Sequence, residues 1–552
     1  MAARIPYPKF FSDCILSNEE ALKRTVKTGT RIGNGFATSE PHTFLSTLWD
    51  HIQREDLEHI RLAQGLFMAA HRLCVGDALA GGGPLSGVVK GLASIPVVGH
   101  VFDKATKTAG KLDGLKRLIA HYEELLRRDV VFESAFLGGA TNILIPQSAL
   151  IRALYPDYAG RNTSRMGVTN MHSIHFPDAV DSIAYGDGIS PKMDLFVMVL
   201  TPPDENGDMS HGPANGANGD IVERILAGRD MNLLIYVNPG YPFTYGYGDV
   251  PNTVNIARFE PLARDGKLFV VEDDGPIPAV PAGAFQNPAP EEVAIAQHVV
   301  NHIEMNAAIT HGRALQVGIG GTGVLAIKAL RESSWTGRAY SEMLEPFTLD
   351  LFDAGRITGS HWIEKNGTRT QLDGKMVCTF SMCERGDPFY SRIDKNPAVV
   401  IAPASRVVIS EAFYGGLGIN NCLGIDFHGH VNSAGRDQNH HSGIGGGAMI
   451  VRGLGRGGIG YMCLKSTHRA LDGKTRSSIF PFLPQGTPIS HVGPDMVGGR
   501  EGARLFLVTE HGICQTSGRN QADLIRGLIK VADPRFRDWL ARQAWKAFRV
   551  RV

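Results

Sequence analysis

The sequence predicts an α/β protein of two tandem open domains with largely parallel sheets, and three observations predict it. Apolar runs of strand length recur along the 552-residue chain, several of them apolar almost throughout, as strands covered on both faces tend to be. Helix-like segments lie between many of these runs, the alternation expected of strands that pair in parallel. A proline-rich break near the middle leaves two halves, each with a glycine-marked turn near a strand-to-helix passage.

The expected strands are 194–202 (DLFVMVLTP), 232–240 (NLLIYVNPG), 267–274 (KLFVVEDD), 314–321 (ALQVGIGG), 398–410 (AVVIAPASRVVIS) and 504–512 (RLFLVTEHG). The expected helices include 51–74, 111–128, 291–309 and 521–531. The break is GPIPAVPAGAFQNPAPEE, residues 275–292, where five prolines interrupt every periodicity before a helix starts near Glu291. This gives an N-terminal domain over 1–275, a linker over 276–292 and a C-terminal domain over 293–552. Residues 51–130, rich in helix signals and then in glycine, read as an elaboration of the first domain. The 65 glycines follow no fixed period, which excludes a collagen-like or solenoid repeat.

Composition narrows the partners. A formal charge of +1 gives no electrostatic reason to expect nucleic acid or an acidic membrane surface. No apolar run is long and uncharged enough for a signal peptide or membrane span, and GGGPLSGVVKGLASIPVVGHVF (81–102) is broken by Lys90, prolines and glycines. The seven cysteines (Cys14, Cys74, Cys378, Cys383, Cys422, Cys463, Cys514) show no C-x-x-C pair, which fits a reducing, cytoplasmic compartment. His428, His430, His440 and His441 have no carboxylate or cysteine set at ligand spacing, so no metal is expected. There is no G-x-S-x-G elbow, and Cys383 reads as a buried small residue rather than a nucleophile.

Chemistry concentrates in the second half. Gly318, Gly320 and Gly323 of LQVGIGGTGVLAIKAL fit G-x-G-x-x-G, with an acid, Glu342, about twenty residues on. Such glycines allow a backbone to approach a dinucleotide pyrophosphate, another oxyanion, or nothing but a tight turn. A second loop, HHSGIGGGAMIVRGLGRGG (440–458), groups Gly443, Gly445, Gly446 and Gly447 ahead of Arg452 and Arg456. Two glycine loops and one acid suit an enzyme that grips a phosphate-bearing ligand and presents backbone N–H groups to a reacting carbonyl.

From about residue 310 to 540 the chain resembles the acetyl-CoA hydrolase/CoA-transferase family, the type I CoA-transferases. The stretches that carry the resemblance are LQVGIGGTGVLAIKAL, YSEMLEPFTLDLFDAGRITG, INNCLGIDFHGHVNS, SGIGGGAMIVRG, LDGKTRSSIFPFLPQGTPIS and LFLVTEHGICQTSGRNQADLIRGLIKVADPRFR. The first half is similar more faintly, through GNGFATSEP, TPPDENGDMS and NPGYPFTYG. The resemblance implies two CoA-transferase-type domains with an active site in the cleft between them. It puts the catalytic glutamate at Glu342 of YSEMLEP, where Ser341 replaces a usual threonine and Glu345-Pro346 a usual serine- or glutamine-aspartate.

The same resemblance implies Gly445 and Gly446 as oxyanion donors, Gly318, Gly320 and Gly321 along a CoA channel, and Asn420 and Arg456 as CoA contacts. Phe243, Thr244 and Tyr245 are candidates for shaping a carboxylate pocket. A glutamate of ordinary acidity is ionised at neutral pH, so Glu342 is expected to attack a thioester without a general base. The implied activity moves CoA between an acyl-CoA and a small carboxylic acid through a glutamyl-CoA thioester. The resemblance further implies coenzyme A as a substrate, no tightly bound cofactor, and a homodimer or higher homo-oligomer. An acyl-CoA hydrolase using the same glutamate is the alternative, and a non-catalytic CoA-binding protein the remote one.

Overall fold

The computed structural model describes residues 6–66, 68, 71–76, 109–136, 169–171, 174–184, 193–248, 250–280, 288–318, 320–365, 368–436, 439–440, 443–470 and 473–552. The glycine-rich stretch 81–102, His441 and part of the linker lie outside them. The chain divides into two compact units: Met1–Val280 with Tyr390–Asn396 and Ile401–Ser405, and Pro281–Phe389 with Pro397–Val400 and Arg406–Val552.

The first unit is organised by an eight-stranded sheet. Its strands are β1 (Ile15–Leu16), β2 (Arg31–Asn34), β3 (Arg61–Leu66), β4 (Val131–Phe136), β5 (Thr169–Met171), β6 (Leu195–Leu200), β7 (Asn232–Val237) and β8 (Leu268–Glu272). They lie in the order β1-β8-β7-β6-β2-β3-β4-β5, every pairing parallel. All six residues of β6 are buried, which is why its run is apolar without alternation. Helix α1 (His42–Arg54) presses Phe44, Leu45, Leu48 and Ile52 into the core that covers β2, β3, β6 and β7.

The second unit repeats this winding. Its main sheet holds β9 (Ala314–Val317), β10 (Arg338–Tyr340), β11 (Met376–Cys378), β12 (Val399–Ile401), β13 (Leu417–Asn421), β14 (Ile459–Cys463), β15 (Arg504–Thr509) and β16 (Gly512–Gln515). The order is β12-β11-β10-β9-β13-β14-β15-β16, with only the last pairing antiparallel among those with recorded registers. In both sheets the first central strand, β2 or β9, has its successors on one side and the later strands on the other. A doubly wound sheet of this kind opens a crevice beyond the strands' carboxyl ends where the order reverses, here between β9 and β13. Helix α2 (Pro290–Met305), which begins with proline at its first position, and helix α3 (Gly321–Arg331) pack beside this sheet. The C-terminal helices α6 (Gln521–Lys530) and α7 (Pro534–Phe548) close a core against β14 and β15 through Leu524, Leu528 and Leu540.

Three sequence expectations are corrected. The segment 51–74 is not one helix: α1 ends at Arg54, positive φ at Asp56 and His59 turns the chain, and β3 follows. Residues 61–66 therefore belong to the sheet itself, paired with β2 and β4, and are not an elaboration on it. The run 398–410 forms a strand only over Val399–Ile401, because Pro403 cannot donate to a ladder and Ala404–Val407 coils into a helical turn.

The fit of α3 on β9 generates a stability test. A methyl group at Gly323 would lie 2.6 Å from Val317 Cγ1 and 3.0 Å from the Gly318 carbonyl oxygen. Glycine to alanine inside a helix normally gains about 0.5–1 kcal/mol. Overpacking a close contact costs about 1–3 kcal/mol, so the clash wins. Gly323→Ala is expected to lower the urea midpoint; an unchanged or raised midpoint would refute the tight helix-on-strand packing.

Candidate active site

The end of β10 and the start of a crossover helix bring the chemistry together. Beyond Tyr340 the chain stays extended: the Ser341 N–H donates to the Val377 carbonyl (2.9 Å), and the Thr379 N–H donates to the Glu342 carbonyl (3.0 Å). Met343–Leu344 then pairs with Phe380–Ser381. Glu345 ends the extended stretch and Pro346 takes the first position of helix α4 (Pro346–Asp353), a place where a missing N–H is harmless. The unusual Glu345-Pro346 pair is thus a helix start.

Opposite Glu342 lies the N-terminus of helix α5 (Gly447–Leu454), which leads from the β13 side of the sheet towards β14. The Gly446 N–H donates to Glu342 Oε1 at 3.2 Å. Gly445 holds φ +66, a conformation natural to glycine. A methyl group at Gly446 would stand 2.3 Å from Val408 Cγ1 and 2.9 Å from Glu342 Oε1, so the close approach requires a residue without a side chain. At Gly447 it would meet His491 Cε1 at 3.2 Å.

The first glycine loop leaves β9 at the crevice. The Gly318 N–H donates to the Ile419 carbonyl at 2.9 Å, and a methyl group at Gly318 would lie 2.8 Å from Asn420 Oδ1. Gly320 has φ +143, and a methyl group there would fall 2.4 Å from Asn421 Nδ2. Gly321 opens α3 with ordinary space around it.

The C-terminal domain profile of the acetyl-CoA hydrolase/transferase family matches residues 386–544. The butyryl-CoA:acetate CoA-transferase of Anaerostipes caccae is 26% identical over 364 residues, covering 64% of this chain and 72% of that one. The 4-hydroxybutyrate coenzyme A transferase of Clostridium kluyveri is 25% identical over 361 residues, covering 64% and 73%. Residues 386–544 thus match the C-terminal domain of that family, and the relatives that the chain resembles are named CoA-transferases.

Solved structures agree in fold. RipA from Yersinia pestis superposes with a TM-score of 0.67 over 98% of both chains at 21% identity. A 4-hydroxybutyrate CoA-transferase from Porphyromonas gingivalis gives 0.60 over 98% of this chain and 99% of that one, at 19% identity.

Within the second unit, Glu342 and Gly446 meet directly, while Gly318 and Gly320 line the neighbouring β9–β13 crevice. Asn420 is buried beneath that loop, its Nδ2 donating to Gln316 Oε1 at 3.0 Å. Arg456 stands apart: it is exposed and follows the C-terminal end of α5, whose eight residues span about 12 Å from the Gly446 end. In the first unit, Thr244 is fully buried and donates to the Gly212 carbonyl while accepting from Asn252 Nδ2, so of the trio only Tyr245 is exposed. Cys383 is buried, and His428 engages Gln521 and the rings of Phe482 and Phe548. Among the described residues no group of three His, Cys, Asp or Glu is placed to hold a metal ion. Sequence reasoning passed over Gln316 and Asn421; a polar residue inside the apolar run ALQVG was the available signal for the first.

The acidity of the site departs from the simple expectation. Loss of hydration around the carboxyl group raises the Glu342 pKa to about 7, and the Gly446 hydrogen bond offsets this only in part. Glu342 is therefore not fully ionised at neutral pH in the free protein, contrary to the sequence-based expectation. Burial likewise raises Glu345 to about 7, although Thr348 Oγ1 donates to its Oε1 at 2.6 Å.

These shifts link stability to pH. The folded state holds the Glu342 proton to higher pH than the unfolded chain. Its stabilising contribution is complete below the ordinary glutamate range near 4.5 and is lost as pH rises through about 7. The full difference is about 3 kcal/mol for a shift of this size. Glu342→Gln, neutral at every pH, is expected to unfold at a higher temperature than the parent at pH 8 and to match it near pH 4.5. Parallel melting curves at both pH values would contradict this.

Proposed function

We propose that the protein transfers CoA from an acyl-CoA thioester to a second carboxylic acid, with Glu342 as the covalent nucleophile. The observation that carries the reading is a desolvated glutamate carboxylate receiving a backbone N–H from a glycine at a helix N-terminus, at the position that the resemblance assigns to the catalytic acid. The names of the relatives, transferases of butyryl-CoA with acetate and of 4-hydroxybutyrate, support short-chain acyl groups as substrates.

In the first step an ionised Glu342 oxygen attacks the thioester carbonyl, and the carbonyl electron pair moves onto oxygen. Collapse breaks the carbon–sulfur bond, releasing CoA thiolate and leaving an acyl-glutamyl anhydride. The thiolate attacks the glutamyl carbonyl and expels the acyl group as a carboxylate, which leaves glutamyl-CoA. An incoming carboxylate runs these steps backwards and departs as the new acyl-CoA. Each addition makes an oxyanion. Gly445 and Gly446, ahead of α5, are the donors proposed for it, and loss of one such donor costs about 3 kcal/mol of barrier. Asn420, Gly318, Gly320 and Gly321 are the proposed CoA side of the site, and Arg456 a phosphate contact at its margin. Water in place of the second acid would give hydrolysis through the same intermediate.

Incubation with an acyl-CoA followed by peptide mass spectrometry is expected to find a CoA-sized adduct on the peptide holding Glu342, absent from Glu342→Ala. Adduct elsewhere, or turnover retained by Glu342→Ala, would refute the nucleophile. Product release that needs no second carboxylic acid would convert the assignment to hydrolase. Because attack needs the ionised carboxylate, kcat/KM for the acyl-CoA is expected to rise with pH to a plateau above about 7. A plateau already reached by pH 5 would contradict the desolvated site.

Gly446→Ala separates geometry from charge. Its methyl group would crowd both Val408 and Glu342. Adduct formation is expected to slow by about two orders of magnitude, and near-parental rates would remove Gly446 from the mechanism.

A further inference from the structure

One hydroxyl group joins the two chemical loops of the second unit. Strands β9 and β10 run in register at Ala314–Arg338 and Leu315–Ala339, and the recorded pairing stops there. Continuing that register would bring Val317 opposite Ser341. In place of the next rung, the buried Ser341 Oγ accepts the Val317 N–H at 3.2 Å and lies 3.3 Å from the Val317 carbonyl, to which it donates. One side chain thus serves both backbone groups of the residue immediately before Gly318. On its other side the Ser341 N–H is held by Val377 of β11, and the next residue is Glu342.

The glycine loop is clamped from its far side as well. Asn420, on β13, donates to Gln316 and holds its Oδ1 2.8 Å from where a methyl group at Gly318 would stand. Ser341 therefore ties β9 to the nucleophile's strand where the strands stop pairing, and Asn420 backs the loop that Ser341 holds. The Glu342 carbonyl itself accepts from Thr379, on the β11 side.

We infer that Ser341 is a positioning residue, which fixes the Glu342 backbone against the Gly318–Gly321 loop so that attacking carboxylate and bound thioester share one frame. This rests on the reading of Glu342 as nucleophile. A misplacement of about 1 Å can cost around 100-fold in rate without weakening binding. The hydroxyl and not the side-chain volume is what the role requires, so threonine should serve and valine, its isostere without the hydroxyl, should not.

The test uses the full chain with Ser341→Ala, Ser341→Val and Ser341→Thr, each checked for folding by thermal melting. The rate of CoA-adduct formation is measured per folded molecule by rapid quench and mass spectrometry. The alanine and valine variants are expected to form the adduct about 10- to 100-fold more slowly at an unchanged KM for acyl-CoA, while threonine restores the rate. Parental rates in the alanine and valine variants, or a threonine variant as slow as alanine, would overturn the inference. So would a loss confined to KM or to the folded fraction. Glu342→Gln is the control that keeps the two ideas apart. If it still forms the adduct, the nucleophile itself is wrong; if it does not and Ser341→Ala is unaffected, only the positioning role fails.

Discussion

The second unit is built around the placement of a carboxyl group where water is scarce. Burying a carboxylate without a full set of partners is unfavourable, and here the Gly446 N–H answers for Glu342. The two opposing effects can be ranked. The N-terminus of α5 favours negative charge by a fraction of a kcal/mol to about 2 kcal/mol, yet the net acidity moves the other way, so desolvation dominates. The glycines follow from this: nothing larger than hydrogen fits at Gly446, because Val408 and the carboxylate occupy the space. A poorly solvated carboxylate is destabilising for the fold and useful for attack on a carbonyl, which is the usual form of the trade between stability and activity.

The doubly wound sheet explains why distant sequence segments reach this point. Parallel strands joined by crossover helices put every strand's carboxyl end and every following helix's N-terminus on one side of the sheet. Glu342 follows β10, the Gly318 loop follows β9, Asn420 and Asn421 end β13, and Gly446 precedes α5. They need not be close in sequence to be close in space. The first unit offers a similar arrangement at its own reversal. There the Gly35 N–H donates to Val197 as the Gly318 N–H does to Ile419, with a fully buried polar residue, Asn34 or Gln316, on the central strand just before the turn.

The strands and the two glycine loops were legible because they depend on local pattern: largely apolar runs for β6, β7 and β15, and glycine where φ is positive or the backbone approaches closely. The split of 51–74 was not. Its helical periodicity runs through Asp56 and His59, and only the pairing of β3 between β2 and β4 overrides it. Within the candidate site, residue types could be read but environments could not. The acidity of Glu342 depends on its burial and on Gly446, more than a hundred residues away in sequence, and the role of Ser341 on a register that stops one rung early. Arg456, close to the glycine loop in sequence, lies past the other end of α5, a separation that spacing alone does not reveal.

Two glutamates in one short segment are raised to about 7 by burial, so acidity alone cannot choose a nucleophile between them. Their surroundings can. Glu345 is 1% exposed and its carboxyl group is bound by Thr348 in the first turn of α4, an arrangement that closes a helix start upon itself. Glu342 keeps partial exposure and faces a glycine-lined helix terminus whose N–H groups are suited to receive developing negative charge. A group meant only to hold the fold is better served by the first arrangement, since its hydrogen bond is internal and its burial complete. A group that must lose its proton, form a bond and release it again needs the second, and this difference in partners favours Glu342 as the reacting acid.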